Sequence, residues 1–161
     1  MSTEKVREYF RAYGVETRIL EFPVSSATVA LAAEALGTEP ARIAKTLAFQ
    51  REVGCTLVVM AGDARVDNHK FKEKFARKAK LLSPEETLAE TGHAVGGVCP
   101  FGVPDSAEVY LDVSLQRFET VFPAAGSSNS AIALSCEELF QYAGAKAWVD
   151  VCKDWQANMT H

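Results

Sequence analysis

IAKTLAFQREVGCTLVVMA, residues 43–61, is the stretch on which the fold turns. Apolar residues dominate both ends, and the middle, Arg51 to Gly54, carries two charges and a glycine. The pattern predicts two strands, residues 45–50 and 56–61, joined by a turn. Side chains alternate along extended chain, so Ile43, Lys45, Leu47 and Phe49 share one face. That face is the more apolar one, and a lysine on it is costly unless it reaches water or a charged partner. Two readings of Lys45 follow. Its amine lies at the floor of a cleft and grips an anionic or carbonyl group, or its stem lies on the core while the amine reaches solvent.

Toward the N-terminus, Val6, Tyr9, Phe10 and Tyr13 recur at helical spacing, with Gly14 as a stop. Residues 17–22 read as a strand. Ser25 and Ser26 are candidate caps for a helix in which Val29, Ala32, Ala33 and Leu36 share a face, and Gly37 ends it. Thr38-Glu39-Pro40 starts a short helical turn. Toward the C-terminus, Asp67 caps a helix bearing Phe71 and Phe75. Ser83-Pro84-Glu85-Glu86 has the serine, first-turn proline and glutamate of a capping box, and Gly92 closes that helix. Residues 93–104 form a loop rich in glycine and proline. Strands are expected at 109–112, 120–124, 131–134 and 147–151, with a turn at Gly126-Ser127-Ser128-Asn129. Ser135 and Glu138 form a second capping box, before a short helix ending near Gly144.

Strands outnumber long helices and the two do not alternate strictly. This predicts one α+β domain spanning residues 1–161, with a mixed, mostly antiparallel sheet surrounded by helices. A chain of 161 residues fits a single core. No apolar run approaches the roughly 20 residues of a membrane helix, and the N-terminus does not resemble a signal peptide, so a cytoplasmic location is expected. The cysteines at 55, 99, 136 and 152 form no CxxC pair and have no histidine at ligand spacing, so neither a metal nor any other cofactor is expected.

The net charge of −4 argues against a general nucleic-acid coat protein. One segment runs the other way. Lys70, Lys72, Lys74, Arg77, Lys78 and Lys80 stand within eleven residues against a single acid, Glu73. Such a run is either a solvated face or a phosphate-binding surface.

The loop Gly92-His93-Ala94-Val95-Gly96-Gly97-Val98-Cys99-Pro100-Phe101-Gly102 is the second candidate for chemistry. Paired glycines let backbone come close to a ligand, and their amides can polarise a carbonyl. The same pattern also suits a tight structural loop. His93 and Cys99 suggest a thiol hydrolase, although no third orienting residue is marked. Asp112 is a helix cap or a site carboxylate. Ser127 and Asn129 are turn residues that could also touch a ligand.

Taken in order, Ala32-Ala33-Glu34-Ala35-Leu36-Gly37, Ile43-Ala44-Lys45-Thr46-Leu47, Gly96-Gly97-Val98-Cys99-Pro100-Phe101-Gly102, Val109-Tyr110-Leu111-Asp112 and Ala125-Gly126 resemble the YbaK/EbsC family. That family comprises free-standing aminoacyl-tRNA deacylases and the editing domain inserted in bacterial prolyl-tRNA synthetases. The resemblance covers residues 22–139 and implies a mixed, partly barrel-like sheet. It implies that Lys45 holds a phosphate or ribose of the tRNA acceptor end, and that Gly96 and Pro100 are the first and last positions of a GxxxP loop which, with Gly97, positions the ester. Asp112 matches an acid near the pocket. Val98, Cys99 and Phe101 are expected to line or flank it, with Ser127 and Asn129 contacting substrate and the basic segment contacting tRNA.

The family has no fixed protein nucleophile, so water or the substrate's own hydroxyl or thiol attacks. An aminoacyl ester is already activated, and positioning with carbonyl polarisation supplies the acceleration. The implied function is deacylation of a mischarged tRNA carrying a small amino acid such as Cys or Ala on tRNA(Pro) or a related tRNA, with an aminoacyl-tRNA synthetase as a possible partner. The alternative is a non-catalytic tRNA- or synthetase-binding module on the same fold. Lys45-Thr46-Leu47 is closer to the branch acting on cysteinyl-tRNA(Pro), and Pro100-Phe101-Gly102 to the branch acting on alanyl-tRNA.

Overall fold

The apolar run at the C-terminal end of the 43–61 stretch behaves as its composition dictates. In a computed structural model describing residues 2–23 and 28–156, the strand Cys55–Ala61 (β3) is buried along its whole length. Uniform burial on both faces is the condition under which a strand reads as a continuous apolar run rather than an alternation. Its partner Ile43–Gln50 (β2) runs antiparallel to it, in register from Ala44 opposite Ala61 to Gln50 opposite Cys55. Lys45 thus stands opposite Met60.

Around this pair the elements run in chain order. Helix α1 (Ser2–Arg11) is followed by a 3-10 turn and β1 (Ile19–Glu21), then α2 (Val29–Leu36), a 3-10 turn at Pro40–Arg42, β2 and β3. Next come β4 (Arg65–Val66), α3 (Asn68–Phe75), α4 (Pro84–Thr91) and β5 (Ala107–Asp112). A 3-10 turn at Val113–Arg117 leads to β6 (Thr120–Pro123), β7 (Ser130–Ile132), β8 (Leu134–Ser135), α5 (Cys136–Ala143), β9 (Ala147–Val149) and β10 (Cys152–Lys153). The main sheet has the order β8-β6-β2-β3-β5-β9 and is mixed and partly barrel-like, as expected, but it is not mostly antiparallel, since three of its five strand pairs are parallel. Antiparallel pairs make up β2–β3, β6–β8, β1–β7 and β4–β10, while β2–β6, β3–β5 and β5–β9 are parallel.

The caps fall largely where their chemistry predicts. Asp67 accepts from the His69 and Lys70 amides, and both capping boxes, Ser83 with Glu86 and Ser135 with Glu138, are complete. For α2 the cap is Thr28, whose side chain accepts from the Leu31 amide; Ser25 and Ser26 lie outside the described residues.

Three expected strands are broken up. Residues 16–18 form a 3-10 turn before β1. The stretch 131–134 divides into β7, which pairs with β1, and β8, which pairs with β6. The Ala133 carbonyl between them accepts from the Arg18 guanidinium at 2.7 Å, which also bonds Glu138 and holds its carboxyl down at about 2. The stretch 147–151 ends at Val149, because the Val151 amide turns to Asp112 at 2.9 Å rather than to a strand.

A cleft at an open strand edge

Residues 43–48 of β2 all line one cleft of about 460 Å³. A strand seen face-on would contribute every second residue. Consecutive lining means that the cleft runs along the strand's edge. The partner strands explain why that edge is open. Strand β6 pairs with β2 only at Ile43 and Ala44, and the segment around Leu81 takes over at Phe49. The Gln50 amide donates to the Lys80 carbonyl and the Ala48 carbonyl accepts from the Leu82 amide. Even-numbered residues of β2 therefore point their backbone groups away from β3, and those of Thr46 fall in the gap between the two partners. The Thr46 hydroxyl is also buried and has no partner among the described residues. Periodicity gave no sign of this gap, because it depends on where two distant segments stop.

Lys45 is half-buried in this cleft, and its amine donates to the Gly62 carbonyl at 3.3 Å. Burial pushes its pKa below the ordinary lysine value; nearby Cys152 and Asp63 partly oppose this, and Arg65 adds to it. Gly62 is fixed by close approach. A Cβ there would meet the Pro40 carbonyl oxygen at 2.1 Å and the Val29 side chain at 2.7 Å. Asp63, next in the chain, is gripped by both terminal nitrogens of Arg117 at 2.9 and 2.5 Å. Arg117 in turn lies over the rings of Phe118 and Trp155. The residues that present an acceptor to Lys45 are thus anchored from behind, an arrangement with no local sequence signature.

The glycine loop forms another wall. Gly96, at φ +97°, and Val98 line the cleft, as do Ser127 and Ser128 of the turn opposite. Gly97 joins the two loops, since a Cβ on it would meet the Ser127 Cα at 2.6 Å and the Ser127 amide nitrogen and carbonyl carbon at 2.9 Å. Pro100 is buried at the base of the loop. The Ser127 hydroxyl bonds the Asn129 side-chain oxygen and the Ser130 hydroxyl, both at 2.8 Å.

Four residues expected to touch substrate do not line the cleft. Phe101 is fully buried against Phe10, with ring centroids 4.7 Å apart, and belongs to the core. Cys99 is fully buried behind the loop rather than facing the cleft. Asp112 is fully buried, and its two oxygens accept from the Ser114 and Val151 amides, so it ties turns together. Asn129 is tied up beside it: its side-chain amide donates to the Phe22 carbonyl at 3.2 Å and its side-chain oxygen accepts from the Ser127 hydroxyl.

The Cys99–His93 pair exists, with Sγ 3.5 Å from Nε2, but it is sealed from solvent. Nε2 lies 2.9 Å from the Phe101 carbonyl and so carries the proton, while Nδ1 has no partner among the described residues. Burial lowers the His93 pKa and pushes the Cys99 thiol up to about 12. A neutral imidazole beside a neutral thiol lacks the thiolate that a nucleophile needs.

The basic segment is only partly helical. Helix α3 stops at Phe75, with Ala76 left-handed at φ 58°, so Arg77, Lys78 and Lys80 lie on the chain leading to Leu81 and Leu82 at the cleft. Lys70 pairs with Asp150 at 3.2 Å, and Lys72, Lys74, Arg77, Lys78 and Lys80 are exposed. A second hollow, lined by Phe118, Phe140, Trp148 and Cys136 among others, contains none of the residues expected to bind or act on substrate. Among the described residues no helix is long and apolar enough to cross a membrane.

Comparison with known proteins fits this architecture. Residues 24–142 match the aminoacyl-tRNA editing domain. An uncharacterised Bacillus subtilis protein, YwhH, is 53% identical over 97% of this chain and 100% of its own length. EbsC of Enterococcus faecalis, named as a candidate Cys-tRNA(Pro)/Cys-tRNA(Cys) deacylase, is 30% identical over 66% of each chain. The crystal structure of a candidate trans-editing enzyme for prolyl-tRNA synthetase superposes with a TM-score of 0.85 at 30% identity, covering 94% of this chain and 97% of that one. With a family match across most of its length and a relative of the same fold at that identity, this chain belongs to the aminoacyl-tRNA editing-domain family.

Proposed function

We propose that this chain removes a wrongly attached small amino acid from tRNA by hydrolysing the ester at the acceptor end. One observation carries the reading: a half-buried lysine, Gly96 and Val98 of the glycine loop and the open edge of β2 line the same cleft. The ester needs only to be held, polarised and reached by water. In this mechanism the Lys45 ammonium holds a phosphate or ribose oxygen. Backbone amides of Gly96 and Val98, held in place by the Gly97 and Pro100 backbone, together with that of Thr46 on the strand edge, polarise the carbonyl. Water, or a hydroxyl or thiol of the substrate itself, attacks. Arg77, Lys78 and Lys80, with Lys70, Lys72 and Lys74 behind them, guide the tRNA body toward the mouth.

Relatives named for Cys-tRNA(Pro) deacylation and prolyl-tRNA synthetase editing favour tRNA(Pro) as the carrier, and a synthetase as a possible partner. The test is a panel of mischarged tRNAs incubated with purified protein. Release of one or a few small amino acids well above the buffer rate supports the reading. Tight tRNA binding without release from any member would instead make this a binding module.

A further inference from the structure

The walls of the Lys45 cleft are built from two kinds of side chain. Val29, Leu36, Leu47, Leu82, Val98 and Phe122 make it apolar, and hydroxyls such as those of Thr46, Thr87 and Ser130 supply neutral polarity. Among the described residues that line it, the one ionisable group is Lys45, a cation. Asp63, a carboxylate whose charge acts on Lys45, is already held in a two-bond fork by Arg117.

An aminoacyl ester brings an α-ammonium with it. In an apolar cleft beside a second cation, that charge loses its hydration without gaining a counter-ion, which is unfavourable. An α-hydroxyl of the same size loses far less and can use the neutral hydroxyls of the walls. We infer that the cleft does not read the α-ammonium, and that the chain also hydrolyses α-hydroxyacyl esters of tRNA with the same small side chains. This rests on the ester-hydrolase reading above. The reaction balances with water alone. The water oxygen bonds to the acyl carbon, the bond from that carbon to the ribose oxygen breaks, and the ribose oxygen leaves with a proton. An α-hydroxy acid and free tRNA result, and no atom of an amine takes part.

The test compares matched pairs on one tRNA, alanyl with lactyl and cysteinyl with 3-mercaptolactyl. Each rate is divided by the rate of the same ester in buffer, because an ammonium also activates the ester chemically. The α-hydroxyacyl ester of the better-cleaved pair should show an acceleration equal to or greater than its aminoacyl partner. The aminoacyl acceleration should rise toward it as pH passes the ordinary α-amino value of about 8. Cleavage of an aminoacyl ester with a tenfold or lower acceleration on its α-hydroxy counterpart would overturn the inference while leaving the hydrolase reading intact. Failure to cleave any of the four esters, with other mischarged tRNAs also inert, would overturn the reading and the inference together.

Discussion

Replacing Lys45 with methionine should separate the fold from the chemistry. Lysine and methionine have similar unbranched stems, so the packing along β2 is kept and only the ammonium goes. In the folded protein that ammonium is half-buried, and one carbonyl, Gly62 at 3.3 Å, is its hydrogen-bond partner. Burial lowers its pKa, which means that folding disfavours the charged form. Lys45→Met should therefore fold with equal or slightly greater stability than wild type. The sign fixes the pH dependence. Between the lowered folded value and the ordinary unfolded value of about 10.4, the unfolded chain binds more protons, so wild-type stability rises with pH there and the gap to the variant closes.

Activity should move the other way. A charge-assisted contact to a phosphate or ribose oxygen is worth roughly 1.5–3 kcal/mol, about ten- to a hundredfold in rate if it is made fully only in the transition state. Thermal unfolding at pH 7 and 9.5, with single-turnover deacylation of the best substrate, reads both effects. Lys45→Arg should recover part of the lost rate, since a flat guanidinium aims its donors differently from a compact ammonium. A folded Lys45→Met protein with wild-type turnover would remove the residue from the mechanism. A loss of more than about 2 kcal/mol of stability would show that the amine serves the fold instead.

Gly97→Ala should lower stability by about 1–3 kcal/mol and reduce deacylation, because its Cβ would stand 2.6 Å from the Ser127 Cα and the two loops must part; unchanged values for both would mean the loops adapt freely. Nitrogen-resolved NMR of His93 should show a neutral ring protonated at Nε2 at pH 7, and stability should begin to fall as pH drops below the ordinary histidine value of about 6.5, since the unfolded ring takes up a proton that the buried one resists. An imidazolium signal from His93 at pH 7 would contradict this. Lys78→Glu with Lys80→Glu should weaken tRNA binding and flatten its salt dependence by about two counterions, with ester cleavage in saturating tRNA little changed; an identical salt slope would leave the segment a solvated face.

Most of the scaffold was legible in the sequence because its signals are local. A serine three residues before a glutamate satisfies helix amides wherever it occurs, and both boxes formed. The β2–β3 pair followed from composition and a turn, and the ordered motifs around Lys45 and Gly96–Pro100 pointed to the family. Within the site, the sequence brought forward Lys45, Gly96, Gly97, Val98 and Ser127, which do meet at or beside one cleft.

What the chain's order could not convey was which neighbours of a motif face the ligand and which face the core. Cys99 and Phe101 follow cleft-lining Val98 in the chain and Asp112 ends β5, yet all three side chains are fully buried and none lines the cleft, because the loop and strand turn them into the core. The open edge at Thr46 exists only because β6 departs after Ala44 and the Leu81 segment arrives at Phe49. The anchoring of Gly62 and Asp63 by Pro40 and Arg117 joins segments more than fifty residues apart in the latter case. Such features are long-range juxtapositions. Hydrophobic period and capping chemistry constrain each segment on its own, and only packing of the whole chain decides which segments leave a strand edge uncovered.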